Sequence, residues 1–285
     1  MVIPCTVGPG SFIDMESIFT EYISPFFLAI LQGITEFLPV SSSGHLVLLN
    51  SVMPVDAGLL FDLVLHFATL ISVVAFYRHD IAQICVGCVH EIKTPGDRKN
   101  LKFVAYLLAA TFITGVIGLC LNDWVETRFR SPIIVGILLI LNAGILWTSR
   151  KKGLWKMTDG ALTLKTSLLI GLAQGLAVLP GISRSGTTIT TALLLGIQSK
   201  DCAKISFLLS IPVICGALIL HIKDISGLAT SHLPIIILAA IVAAVVGYIS
   251  LVILEKLLKK ANFHIFAPYC LILGIIAVVC GILFR

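Results

Sequence analysis

Glu36, His45 and Arg184 are ionisable side chains embedded in long apolar stretches, and each has hydroxyl or amide neighbours. Arg184 lies in Pro180-Gly181-Ile182-Ser183-Arg184-Ser185-Gly186-Thr187-Thr188. A planar guanidinium matches two oxygens of a phosphate at once. A small-residue loop that opens a helix adds backbone N–H groups and a positive dipole end. The stretch therefore reads as an oxyanion cradle, with Ser183, Ser185, Thr187 and Thr188 supplying hydroxyls; the plainer alternative is a structural ion pair between Arg184 and Glu36. Gln32 and Glu36 are four residues apart and share a helix face. Their oxygens could hold a hard divalent cation, Mg2+ or Ca2+. Glu36 could instead carry protons, or simply make a cap or loop hydrogen bond. His45 follows Ser41-Ser42-Ser43-Gly44, and an imidazole beside hydroxyls suits acid–base catalysis or activation of a serine nucleophile. The other histidines, His66 included, read as structural.

These residues fall in two segments that resemble each other. Gln32-Gly33 and Gln174-Gly175 match at a shift of 142 positions (174 − 32), and the same shift places Ser41 on Ser183, Ser43 on Ser185 and Gly44 on Gly186. It also sets Arg184 opposite Ser42 and Thr187 opposite His45, so the copies differ where the chemistry lies.

The elements that must position them are set by composition. The 285 residues are 58% hydrophobic and only 12% charged, with a mean hydropathy of +1.05. A soluble domain carries roughly 25% charged residues, so the chain reads as one all-α integral membrane domain. Six apolar segments have the length of transmembrane helices: about 59–77, 101–121, 132–147, 205–220, 233–254 and 266–284. The net charge of +5 is scattered over short connections, which argues against nucleic acid as a partner. Lys and Arg concentrate at 78–102, 150–165 and 256–260 and are absent before Arg78, so the rule that basic loops stay inside predicts both termini outside. The connection 78–102 is taken as a loop. This count requires the polar segments, about 23–50 and 167–197, to enter and leave on the same side, as two re-entrant helical hairpins. Pro39 and Pro180, with their glycines and serines, interrupt each helix. Three spans follow each hairpin, which predicts an inverted-topology repeat of about 23–148 and 166–284, with the site where the broken helices meet. Eight plain spanning helices are the alternative. Residues 1–22 form an extension, and Met15 is a second candidate start. Most of the eight cysteines sit in apolar runs, and Cys85-Val86-Gly87-Cys88 lacks the second pair of a zinc site.

Leu31-Gln32-Gly33-Ile34-Thr35-Glu36-Phe37-Leu38-Pro39-Val40-Ser41-Ser42-Ser43-Gly44-His45-Leu46 and Pro180-Gly181-Ile182-Ser183-Arg184-Ser185-Gly186-Thr187-Thr188 closely resemble the undecaprenyl-diphosphate phosphatase (bacitracin-resistance) family. The resemblance covers the chain from about Ile23 to its C-terminus. It implies hydrolysis of a C55 isoprenoid diphosphate to the monophosphate, recycling the lipid carrier of bacterial cell-wall synthesis in the cytoplasmic membrane, with an outward-facing site. It places the family's motifs on Gln32 and Glu36, on Ser42 and His45, and on Ser183, Arg184 and Thr188. Gln at position 32 leaves a single carboxylate in the first motif.

The expected mechanism has Arg184 and the Ser183–Thr188 loop holding the diphosphate, with Ser41, Ser43 and Gly181 contributing. Glu36, with Gln32, holds the cation. The expected nucleophile is Ser42 activated by His45; direct attack by His45, or by a water that Glu36 activates, are the alternatives. Partners are the polyprenyl diphosphate and the bilayer, with a homodimer allowed. A transporter of lipid phosphate is the competing class, because inverted repeats with broken helices also serve transport.

Overall fold

A computed structural model describes residues 23–52, 58–94, 96–128, 131–150, 162–220, 233–260 and 262–283. The extension 1–22 with Met15, the basic residues Lys151, Lys152, Lys156 and Lys223, and the C-terminal Arg285 lie outside the described residues. Among the described residues all regular structure is helical.

The first polar segment forms α1 (Ser24–Phe37) and α2 (Ser42–Val52), separated by a four-residue break. Pro25 sits in the first turn of α1, where its missing N–H costs nothing. Leu38 turns extended ahead of Pro39 and ends the helix. Then come α3 (Gly58–Phe76), α4 (Arg78–Lys93), α5 (Lys99–Arg128) and α6 (Pro132–Thr148). The second polar segment forms α7 (Leu164–Leu176) and α8 (Arg184–Leu194). A reciprocal Thr163–Thr166 capping box starts α7, and Ser183 caps α8 by accepting the Gly186 N–H. The chain continues as α9 (Ser199–Leu220), α10 (Leu233–Lys259), a short 3-10 turn (Phe263–Ile265) and α11 (Phe266–Leu283).

Four helical stretches are long and apolar enough to cross a membrane: Lys99–Leu121, Ser199–Leu220, Leu233–Lys259 and Phe263–Leu283. A fifth arises if Phe61–Phe76 and Arg78–Lys93 make one broken span, bent by 71°. All six expected apolar spans are helical, although α6 has only 17 residues, about 25 Å of rise. One expectation fails. The connection 78–102 is not a loop, because α4 occupies most of it. Its charges cluster at the ends, with Ile81–Val89 between them, and none of its residues is buried. Counting Lys and Arg located the connection without seeing the helix inside it.

Packing pairs each half with the other. The broken helix α1 lies against α10, and α7 against α5; α3 lies against α10, and α9 against α5; α6 and α11 pack on each other. A shift of 142 carries Ser42–Val52 onto Arg184–Leu194 residue for residue (42 + 142 = 184, 52 + 142 = 194). Contact between α6 and α11 is close enough to need glycine on both sides. A Cβ on Gly136 would lie 2.7 Å from the Gly274 carbonyl oxygen, and one on Gly274 equally close to that of Gly136.

Candidate active site

The two helix breaks cross one another. Ser41 Oγ accepts the Gly181 N–H at 3.0 Å and the Gly44 N–H at 3.2 Å. Gly181 has φ +111°, and a Cβ there would meet Leu138 Cβ and the Val135 carbonyl oxygen at 2.7 Å each, so only glycine fits. Ser41 itself adopts φ +70°, an uncommon conformation for a side-chain-bearing residue. This kink places the next residues, Ser42 and Ser43, at the start of α2. Residue Asn142 of α6 joins the breaks a second time: its Nδ2 donates to the Pro39 carbonyl at 3.1 Å, and its Oδ1 accepts the Ser183 N–H at 3.0 Å.

A cleft of about 280 Å³ opens between the crossed breaks. Its polar side is made by Thr35, Glu36, Ser41, Ser42, Ser43, His66, Ser183 and Arg184. Its apolar wall is Leu63, Ala177, Ile182, Val213, Ile214, Ala217 and Leu218, much of it from α9 just past the internal Pro212. The first residues of both α2 and α8 face the cleft, so two positive dipole ends converge there.

Glu36 is the hub. Its Oε1 accepts from Arg184 Nη2 at 2.6 Å. Its Oε2 accepts from Ser42 Oγ at 2.8 Å and Gln32 Nε2 at 3.0 Å, and lies 3.5 Å from His66 Nε2. The Glu36 side chain is 7% exposed and that of Arg184 18%, so little water screens their attraction. The ion pair, raised above as the alternative role for Arg184, is therefore present. It leaves Arg184 Nη1 buried without a partner, a donor free for an incoming oxyanion.

Of the other expected site residues, Ser41, Ser42, Ser43 and Ser183 line the cleft with Glu36 and Arg184. Gln32, His45, Gly181, Ser185, Thr187 and Thr188 are absent from its lining. Ser185 Oγ pairs with Ser183 Oγ at 3.1 Å, and Thr188 Oγ1 bonds the Arg184 carbonyl and Ser206 of α9, anchoring α8. The His45 ring bonds groups other than the Ser42 hydroxyl. Its Nδ1 donates to the Ser41 carbonyl at 2.8 Å, and its Nε2 meets the Tyr269 hydroxyl of α11 at 2.7 Å, so both ring nitrogens are engaged. The partner within reach of the Ser42 hydroxyl is Glu36. Sequence reasoning missed His66, whose Nδ1 is held by the Asp62 carbonyl at 2.8 Å while Nε2 faces Glu36. It also missed Asn142, whose only signal was one amide in an apolar span.

Among the described residues no three His, Cys, Asp or Glu side chains gather as a metal cage. The oxygens that could serve a cation are those of Glu36 and the buried, unpartnered Oε1 of Gln32. Rotation of the Gln32 amide would bring that oxygen beside the Glu36 carboxylate, so the pair fits a cation that also has ligands from a bound anion.

The family model for bacitracin resistance protein BacA matches residues 25–276, across both breaks and every helix that lines the cleft. The chain belongs to the bacitracin resistance protein BacA family. Similar curated relatives are undecaprenyl-diphosphatases. That of Methanosphaera stadtmanae is 38% identical over 274 residues, covering 92% of this chain and 99% of the relative. That of Desulforapulum autotrophicum is 38% identical over 265 residues, 89% and 96% of the two chains. That of Elusimicrobium minutum is 39% identical over 257 residues, 90% and 96%. Within this BacA-family chain, the residues that face the cleft come from both repeat-like segments.

Proposed function

We propose that the chain is a membrane phosphatase that hydrolyses undecaprenyl diphosphate to undecaprenyl phosphate and inorganic phosphate. Similarity to undecaprenyl-diphosphatases over about nine tenths of the chain supports this. The observation that carries the chemistry is Ser42 bonded to Glu36, itself paired with Arg184, on the polar side of a cleft whose other side is apolar. The polar side suits a diphosphate, and the apolar wall suits the first isoprene units of its tail. In the cell this reaction returns the lipid carrier to cell-wall synthesis and confers resistance to bacitracin. A transporter built on the same scaffold has no comparable support.

The chain's own residues supply the steps. Arg184 binds the diphosphate through Nη1, aided by the N-termini of α2 and α8 and the hydroxyls of Ser41, Ser43 and Ser183. Glu36 accepts the Ser42 proton as Ser42 Oγ attacks the terminal phosphorus. The P–O bond to the bridging oxygen breaks, and prenyl monophosphate leaves with that electron pair. Glu36 passes that proton to the departing prenyl monophosphate; ionised again, it takes a proton from the water that attacks the phosphoserine and returns it to Ser42 Oγ as inorganic phosphate is released. Direct attack by a water that Glu36 activates is the remaining alternative. A divalent cation, Mg2+ or Ca2+, held by Glu36 and Gln32 would neutralise charge on the phosphate oxygens. His45 contributes by fixing the Ser41 kink and, through it, Ser42. Gly181, Ser185, Thr187 and Thr188 support the Arg184 loop from behind.

The topology we propose is the inverted repeat, with two re-entrant broken helices, six spans and both termini outside, in the bacterial cytoplasmic membrane. The cross-packing of the halves and the basic connections support it. The test is phosphate release from a polyprenyl diphosphate by purified protein in detergent with Mg2+ or Ca2+, where vectorial transport cannot occur. Release is expected, with a 32P-labelled phosphoserine trapped in the native protein and absent from Ser42→Ala. A protein that releases no phosphate would overturn the reading.

A further inference from the structure

We infer that Asn142 is a positioning residue for this reaction: one buried amide that fixes how the two arms of the cleft face each other. The inference rests on the hydrolase reading above. Helix α6 contributes no residue to the cleft lining, yet Asn142 in its midst is 0% exposed. An amide among apolar side chains is costly unless its donors and acceptor are satisfied, and here they are satisfied by the two breaks. Oδ1 takes the N–H of Ser183, the cap residue directly before Arg184. Nδ2 gives its hydrogens to the carbonyl of Pro39, three residues beyond Glu36, and to Cys270 Sγ at 3.4 Å. The amide cannot be turned over, since that would set donor against donor and acceptor against acceptor.

Apart from the Glu36–Arg184 ion pair itself, the breaks are joined by Gly181 N–H donating to Ser41 Oγ. That bond joins the backbones of the breaks at one point, and the ion pair joins only the ends of two long side chains, which can follow a shift of the backbone. Asn142 holds the backbones at a second point, and the two together restrict the angle between the arms. The angle sets how Arg184 meets the Glu36–Ser42 pair. Removing Asn142 should leave the arms joined and their register loosened, so the loss falls on the chemical step more than on folding. Displacement of a reacting group by about 1 Å can cost on the order of a hundredfold in rate.

The experiment uses the purified full chain in detergent, with polyprenyl diphosphate and Mg2+ or Ca2+. Asn142→Leu keeps the side-chain size and removes both links. Expected is a tenfold to hundredfold fall in kcat with KM within about twofold of the native value. In an Arg184→Lys background the same substitution should cost less than about threefold, because Asn142 acts through Arg184. If Asn142→Leu does not purify as a single species, Asn142→Ala carries the same expectations. A kcat within twofold of native, a rise in KM with kcat unchanged, or an equal loss in the Arg184→Lys background would each overturn the inference. Native protein that releases no phosphate would instead overturn the hydrolase reading, and with it the reaction Asn142 is inferred to serve.

Discussion

Glu36 carries four relationships on two oxygens, and each substitution at the site disturbs a different one. Glu36→Gln keeps the size but removes the proton acceptor for Ser42 and the charge that balances Arg184. We expect kcat to fall by about 10²–10⁴, the usual contribution of a placed base, in the phosphate-release assay. His45 should behave otherwise. Its ring spans the Ser41 carbonyl and the Tyr269 hydroxyl, so His45→Gln, which keeps a donor, should retain at least about ten times the activity of His45→Ala. Equal activities in the two variants would contradict a bracing role. At this scale the sequence exposed Glu36, Ser42 and Arg184 because each breaks an apolar pattern beside other polar groups. It hid His66 and Asn142, which stand alone within apolar helices and acquire partners only through tertiary contact. It also paired Ser42 with His45: the two are three apart on one helix, yet the Ser42 hydroxyl bonds Glu36 and both His45 ring nitrogens are engaged by Ser41 and Tyr269, partners that tertiary packing supplies.

Breaks in helices, more than the helices themselves, define the active region. The prolines and glycines made both breaks legible in the sequence, but their crossing was not, since no local pattern encodes the Ser41–Gly181 bond. Gly181→Ala should report on that crossing. Its positive φ and the backbone and side-chain atoms at 2.7 Å leave no room for a methyl group. A loss of about 1–3 kcal/mol is expected as a lower thermal midpoint in detergent. The turn from α4 to α5 offers a pH-dependent counterpart away from the cleft. Glu91 accepts the N–H groups of Asn100 and Leu101, capping the start of α5. Burial pushes the Glu91 carboxyl up, and these donors outweigh it, so it ionises below its ordinary value of 4.5. The cap is therefore fully present above pH 4.5 and fades as pH falls through the lowered value. Faster amide exchange at Asn100 and Leu101 below that pH, corrected for intrinsic rates and abolished in Glu91→Gln, is the expected signature.

For the molecule as a whole, the proposed topology puts the α4–α5 connection inside and the far end of α5 outside. Variants keeping only Cys85 or only Cys120, both exposed, separate the two faces. A membrane-impermeant maleimide should label Cys120 in right-side-out vesicles and Cys85 in inverted ones; labelling from one face alone would sink the topology. Hydropathy reached the helical class and the apolar segments that form helices. It could not reach the exchange of partners between halves, in which α1 seats on α10 and α7 on α5. That exchange has a consequence for biogenesis. Helix α1 emerges from the ribosome about two hundred residues before the helix it rests on, so the arm bearing Glu36 and Ser42 enters the membrane without its seat. The arm's insertion then precedes its final seating, which waits for a helix made about two hundred residues later.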